Sequence, residues 1–339
     1  MNSRYGHVSR KLVNIFVLMC VAALEPALAQ VPIEWKYYTF NQTNDNITKT
    51  NRAFAEDVAK ATGGRLKITV FAAGELPYRP QDVLRALSGD QIQMGDVAFG
   101  LSAGDVPELD VMSLPFLCNT YETFDKAVPA VTRAAEQVLK DKFGLSAMMH
   151  WTPPPQNLWS SRPLTTLAEF KGLKVRTWNP PQVEMMRALG GTAVTIAPAE
   201  VIPSLQRKVI DAIITGALSA NDWRAYDVVS FGYLLPISMG HMAMVVNNAQ
   251  LSKLPPDLQQ VLLAKATEWR PKYMQMSREG GKAALTNLSS NGVRLTEPTA
   301  DDLRRASLLV QPIWTEWARK HGESGRILLE STKAACQPS

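Results

Sequence analysis

After residue 30 the apolar residues switch repeatedly between two periods, and that alternation limits the chain to one broad class of fold. Phe54, Val58 and Ala61 recur at helical spacing, and Thr62-Gly63-Gly64 stops that helix. Leu66, Ile68 and Val70 then alternate as a strand ending near Gly74. A helical stretch with Val83, Leu84 and Leu87 leads through Gly89 to an apolar strand at Ile92–Phe99. This strand–helix–strand rhythm predicts an α/β protein with mainly parallel sheets covered by helices on both faces. Ligands in such folds gather at the carboxyl ends of strands.

The segment Trp151-Thr152-Pro153-Pro154-Pro155-Gln156 interrupts the rhythm. Three consecutive prolines continue neither a helix nor a central strand, so the segment reads as a stiff crossing between two domains. A length of 339 residues also suits two domains. A second run follows: strand Leu173–Arg176, helix Pro181–Leu189, strand Thr192–Ile196, helix Ala199–Arg207 and strand Val209–Ile214. From Pro255 onward Leu258, Leu262, Trp269, Tyr273 and Met276 mark a long helix. Pro271 predicts a kink in it, and Gly280-Gly281 a weakened far end.

The amino terminus predicts export. Arg10 and Lys11 precede the apolar run Val13–Leu24, and Ala27-Leu28-Ala29 supplies a small-x-small cleavage site before Gln30. The run is too short for a good membrane span, so residues 1–29 read as a signal peptide. The rest then has no membrane insertion of its own and a periplasmic destination. Those 29 residues carry three basic side chains and one acidic one, so their loss lowers the formal charge from +5 to +3. With no dense Lys/Arg stripe, the charge gives no argument for nucleic acid. Cys118 and Cys336 remain, 218 positions apart. Two unpaired structural cysteines are the default expectation, and a disulfide is the alternative in an oxidising compartment.

Catalytic signatures are missing. His150, His241 and His321 are scattered, without HExxH or CxxC, so neither a metal nor a cofactor is expected. GxGxxG after a strand and GxxxxGK[ST] are absent as well. These residues read as a non-catalytic, exported α/β protein.

Six motifs then appear in order. They are Phe54-Ala55-Glu56-Asp57-Val58 with Thr62-Gly63-Gly64-Arg65-Leu66; Leu114-Pro115-Phe116; Ser161-Arg162-Pro163-Leu164; Phe170-Lys171-Gly172-Leu173-Lys174-Val175-Arg176; Glu200-Val201 with Ser204-Leu205-Gln206-Arg207 and Asp211; and Leu254-Pro255-Pro256-Asp257-Leu258-Gln259. Together, over roughly residues 32–325, the chain resembles the periplasmic solute receptors of TRAP transporters. The resemblance implies a two-lobed binding protein that closes on a small organic acid. It would deliver that acid to a small and a large membrane subunit, driven by an ion gradient. The implied lobes are 31–152 with about 243–283, and 153–242 with about 284–335, hinged and spanned by the long helix.

The resemblance gives Arg176 the role of carboxylate clamp, a task for which a planar guanidinium at a strand end is suited. Asn179 matches a position that hydrogen-bonds the ligand in sugar-acid-binding members, with an N-cap role before Pro180 as the alternative. Arg162 falls in a motif too, but its loop context suggests a structural or hinge role. The sialic-acid-binding branch has a second arginine where this chain has Gln156, and a Glu-Asn pair where it has Ile214-Thr215. Those departures disfavour a polyhydroxylated acid, because unmatched polar groups are costly to bury. Aromatic residues take their place: Trp151, Trp159, Trp178 and Trp223 fall near strand ends or crossings, and Phe40 and Phe99 hold similar places in the first domain. Thr215, His241, Asn41 and Arg79 complete the candidates. The leading expectation is a receptor for a monocarboxylate with an apolar or aromatic body. A ligand-sensing module is the second reading and an exported hydrolase the third.

Overall fold

A computed structural model describes Met1 and residues 31–336. The expected signal peptide lies outside the described residues. The strands form two sheets. The first lobe contains β1 (Ile33–Tyr38), β2 (Leu66–Phe71), β3 (Met94–Ala98), β4 (Leu145–Trp151) and β10 (Met242–Asn247), in the order β2-β1-β3-β10-β4. The second lobe contains β5 (Gln156–Ser160), β6 (Lys174–Thr177), β7 (Thr192–Thr195), β8 (Ala212–Gly216), β9 (Phe231–Ser238) and β11 (Arg294–Thr296), in the order β11-β9-β5-β8-β6-β7. Central strands β3, β5, β8 and β10 are buried along their whole length, as sheets covered on both faces require.

The sheets are more mixed than the rhythm predicts. β10 runs antiparallel to β3 and β4, and β5 antiparallel to β8 and β9. The cause is the crossing itself. β4 ends at the cleft and hands the chain to β5, which enters the second sheet from its cleft side; β9 and β10 repeat the exchange in reverse. A strand that enters from the cleft must point against neighbours that end there.

Ten helices cover the sheets among the described residues: α1 (Asn46–Ala61), α2 (Val83–Ser88), α3 (Tyr121–Phe143), α4 (Pro180–Ala188), α5 (Pro198–Gln206), α6 (Ala217–Asp222), α7 (Asn248–Lys253), α8 (Pro256–Ser290), α9 (Ala300–Lys320) and α10 (Gly322–Cys336). α8 continues unbroken through Pro271 and Gly280-Gly281, packing on α1 and β4 of the first lobe and on α6 of the second. Gly281 serves that packing: a Cβ there would lie 2.9 Å from Cγ of Pro154 in the crossing.

Two sequence expectations need correction. Cys118 and Cys336 are bonded to each other, with Cα atoms 5.2 Å apart, a separation that suits a disulfide. The pairing arises because α10 packs on α3 and on the segment 107–113 of the first lobe. The tail expected with the second lobe is accordingly divided. Near the start of α9, Asp302 accepts from the Tyr233 hydroxyl of β9 at 2.8 Å, whereas Trp314 Nε1 further along donates to the Pro115 carbonyl at 2.9 Å.

Candidate functional site

The cleft between the sheets narrows to a small cavity. Its walls follow from topology. Phe40 and Asn41 come after β1, Leu101 after β3, Arg176 and Trp178 from the end of β6, Pro198 after β7, and Thr215 and Ser219 from the end of β8 and the first turn of α6. Gln156 and Met242 open the antiparallel strands β5 and β10, whose amino ends therefore reach the same place. Pro153, Ile47 and Trp223 complete the lining.

Arg176 dominates this cavity. Its Nε donates to the Ile196 carbonyl at 2.9 Å and its Nη1 to the Ile214 carbonyl at 3.0 Å. Its guanidinium carbon lies 5.9 Å from the Trp223 ring centroid. The residue is 2% exposed, and among the described residues no carboxylate pairs with it. Burial alone pulls its pKa down to about 9, so it keeps its proton at neutral pH. A buried cation held by two carbonyls and an indole, facing a cavity, is arranged to take an anion.

The other lining groups are mostly aromatic or neutral. Gln156 donates from Nε2 to the Pro154 carbonyl at 3.3 Å, which directs its amide within the crossing. Trp223 donates from Nε1 to Asp45 at 3.3 Å, across the cleft. Asn41 spends one amide donor on Thr39 Oγ1 at 2.9 Å. Among the described residues, no group of three or more His, Cys, Asp and Glu side chains is placed to hold a metal.

Several candidates lie elsewhere. Asn179 is fully buried as the N-cap of α4, accepting from the Gln182 amide at 3.0 Å and donating to Asp110 at 3.3 Å, so it joins the lobes instead of lining the cavity. Desolvation raises Asp110 to about 7 in this interlobe contact. The Ile214 side chain is in the core, and only its carbonyl serves Arg176. Trp151 packs on Tyr273 with ring centroids 5.2 Å apart. Phe99 stacks beside His150 and His241 in the first lobe, away from the cavity. His241 Nε2 is 2.9 Å from His150 Nδ1, a pair that ties together the two crossing strands. Arg79 is an exposed surface residue paired with Asp82. Trp159 also packs in the second lobe's core. Arg162 stays outside, 3.7 Å from Asp211. The cavity residues that sequence reasoning missed are Ile47, Leu101, Pro153, Pro198, Ser219 and Met242. Ser219 follows β8 directly, so the strand-end rule contained the signal for it.

Two α/β lobes joined by crossings enclose a cation-bearing cavity, the architecture of a solute-binding receptor. The model of the bacterial extracellular solute-binding protein family 7, DctP, matches residues 38–321, and the chain belongs to that family of TRAP receptors. It is 24% identical over 287 residues, 83% of this chain and 85% of the other, to the 2,3-diketo-L-gulonate-binding periplasmic protein YiaO of Escherichia coli K12. It is 26% identical over 318 residues, 90% and 92% of the two chains, to the C4-dicarboxylate-binding periplasmic protein DctP of Rhodobacter capsulatus. Among solved structures it superimposes with a TM-score of 0.84 on DctP6 of Bordetella pertussis, an extracytoplasmic solute receptor binding pyroglutamic acid. That pair is 24% identical over 89% of this chain and 99% of the other.

Proposed function

We propose that this chain is the periplasmic receptor of a TRAP transporter, exported by its leader, and that it captures a compact monocarboxylate for a pair of membrane subunits. The observation that carries this reading is the buried Arg176 guanidinium, which faces the cavity and, among the described residues, has no carboxylate partner. Among the described residues it is the single cationic side chain on the cavity wall, so a second carboxylate on the ligand would be buried unmatched. Phe40, Trp178 and Trp223 suit a planar or apolar body. Gln156, Thr215 and Asn41 offer polar contacts for one or two heteroatoms, too few for a polyol. A relative that binds pyroglutamic acid, a compact cyclic acid, agrees with this size and charge. Arg176 would hold the carboxylate, and closure of the lobes would exclude water.

The test is calorimetry and thermal shift with a panel of small acids. Compact monocarboxylates should bind and raise the melting temperature, and their amides should not. At a ligand concentration of about 100 times Kd the stabilisation is about 2.7 kcal/mol. Binding confined to dicarboxylates or sugar acids would overturn the specificity, and binding of the amides as tightly as the acids would overturn the clamp.

A further inference from the structure

Helix α1 lacks a cap of its own. Asp45 precedes it in extended conformation, but its carboxylate caps no amide of the helix. It turns back to accept from the Gln42 amide at 2.9 Å and reaches across the cleft to Trp223 Nε1 at 3.3 Å. The first donor of α1 is satisfied from the other lobe. Asp222 Oδ2 accepts from the Asn46 amide at 2.8 Å, and Oδ1 accepts from the Asn46 side-chain amide at 2.6 Å.

The contact favours the amino end of α1. A free helix amino terminus presents unsatisfied N–H groups and a partial positive charge, both of which favour a carboxylate. Asp222 is the last residue of the short helix α6, where a negative charge opposes the local dipole. Docked on α1, the same charge becomes favourable. The adjacent residue is Trp223, whose ring lies over Arg176.

We propose that Asp222 and Asp45 form a latch across the cleft: Asp222 caps α1 in the closed receptor, while Asp45 fixes the Trp223 indole over the Arg176 guanidinium. Both are positioning residues that act on ligand retention through Trp223, and the retention part rests on the clamp reading given above. The latch is built from the chain's own side chains, so we expect it to form in the ligand-free receptor as well.

Hydrogen–deuterium exchange on the ligand-free protein tests the cap. Asp222→Ala should speed exchange over residues 46–49 about tenfold, and Asp222→Asn, which keeps a carbonyl acceptor, should restore most of the protection. Unchanged exchange in Asp222→Ala, or Asp222→Asn as fast as Asp222→Ala, would overturn the latch. Stopped-flow kinetics with L-pyroglutamate as probe test retention: Asp222→Ala and Asp45→Ala should raise koff about tenfold and leave kon within a factor of two. A changed kon with constant koff would overturn the retention role. Failure of wild type to bind the probe or any panel acid would instead defeat the clamp reading, and the exchange result would still decide the latch.

Discussion

Gly240 lies against Trp178 so closely that a Cβ at that position would sit 2.8 Å from Cη2 of the indole. The same Cβ would meet Pro153 Cγ at 2.9 Å. Both neighbours line the cavity, while Gly240 belongs to the return crossing between β9 and β10. Gly240→Ala must therefore displace one wall of the cavity or separate the crossings. The expected outcome is at least tenfold weaker acid binding by calorimetry, with a loss of roughly 1–3 kcal/mol in stability from overpacking.

Arg176 invites a test in which binding and stability move in opposite directions. Arg176→Met keeps much of the volume and removes a buried charge that has no anionic partner among the described residues. The melting temperature of the ligand-free protein should stay level or rise. Acid binding should weaken by roughly 2–5 kcal/mol, the usual cost of removing one partner of a buried charged pair. Isothermal titration and scanning calorimetry on the same sample report both effects.

Buried imidazoles make the protein acid-sensitive. Desolvation lowers His150 to about 4 and puts His241 well below the usual imidazole value. A base whose folded pKa is lowered contributes stability above its unfolded value near 6.5, and that stability is lost as pH falls toward 4. Asp110 and Asp45 act with the opposite sign. Desolvation raises them to about 7 and about 6, so their contribution is present below about pH 4 and is lost as pH rises through those values. His241→Gln should flatten the acid limb of a plot of melting temperature against pH. Asp110→Asn should raise the melting temperature at pH 8, by less at pH 5, and leave it nearly unchanged below about pH 4.

The Cys118–Cys336 bond holds α10 against the first lobe across 218 positions. Cys336→Ser should lower stability by roughly 2–5 kcal/mol. It should also accelerate hydrogen exchange in α10 first, because that helix is otherwise held by packing on α3 and α9. Equal exchange in α10 before and after reduction would show that packing alone suffices.

The two-lobed α/β plan was legible because periods of 2 and 3.6 are local properties, and because three prolines in a row can only cross. Mixed strand direction was not, since β5 and β10 look like any apolar strand until their point of entry is known. Arg176 was legible through its motif, Gln156 and Thr215 through the comparison with the sialic-acid-binding branch, and Trp178 and Trp223 through their places at strand ends and crossings. Phe99, Trp151 and His241 stand in equally promising positions along the chain. Their side chains turn into the core of the first lobe, a choice made by packing partners such as Tyr273 that lie far away in sequence. Asn179 carried two readings, and the backbone of α4 together with Asp110 takes its amide. The Cys118–Cys336 pair and the Asp222–Asn46 contact depend on which helices meet, which no spacing along the chain encodes.

Because α10 is bonded to the segment carrying Cys118, it belongs to the first lobe, and a probe on it marks that lobe as a reference frame. On closure of the kind proposed above, a fluorophore on β7, at the outer edge of the second sheet, should move relative to one on α10. Immobilised through α10, the receptor would report capture of its acid as a rotation of one body against a stationary support.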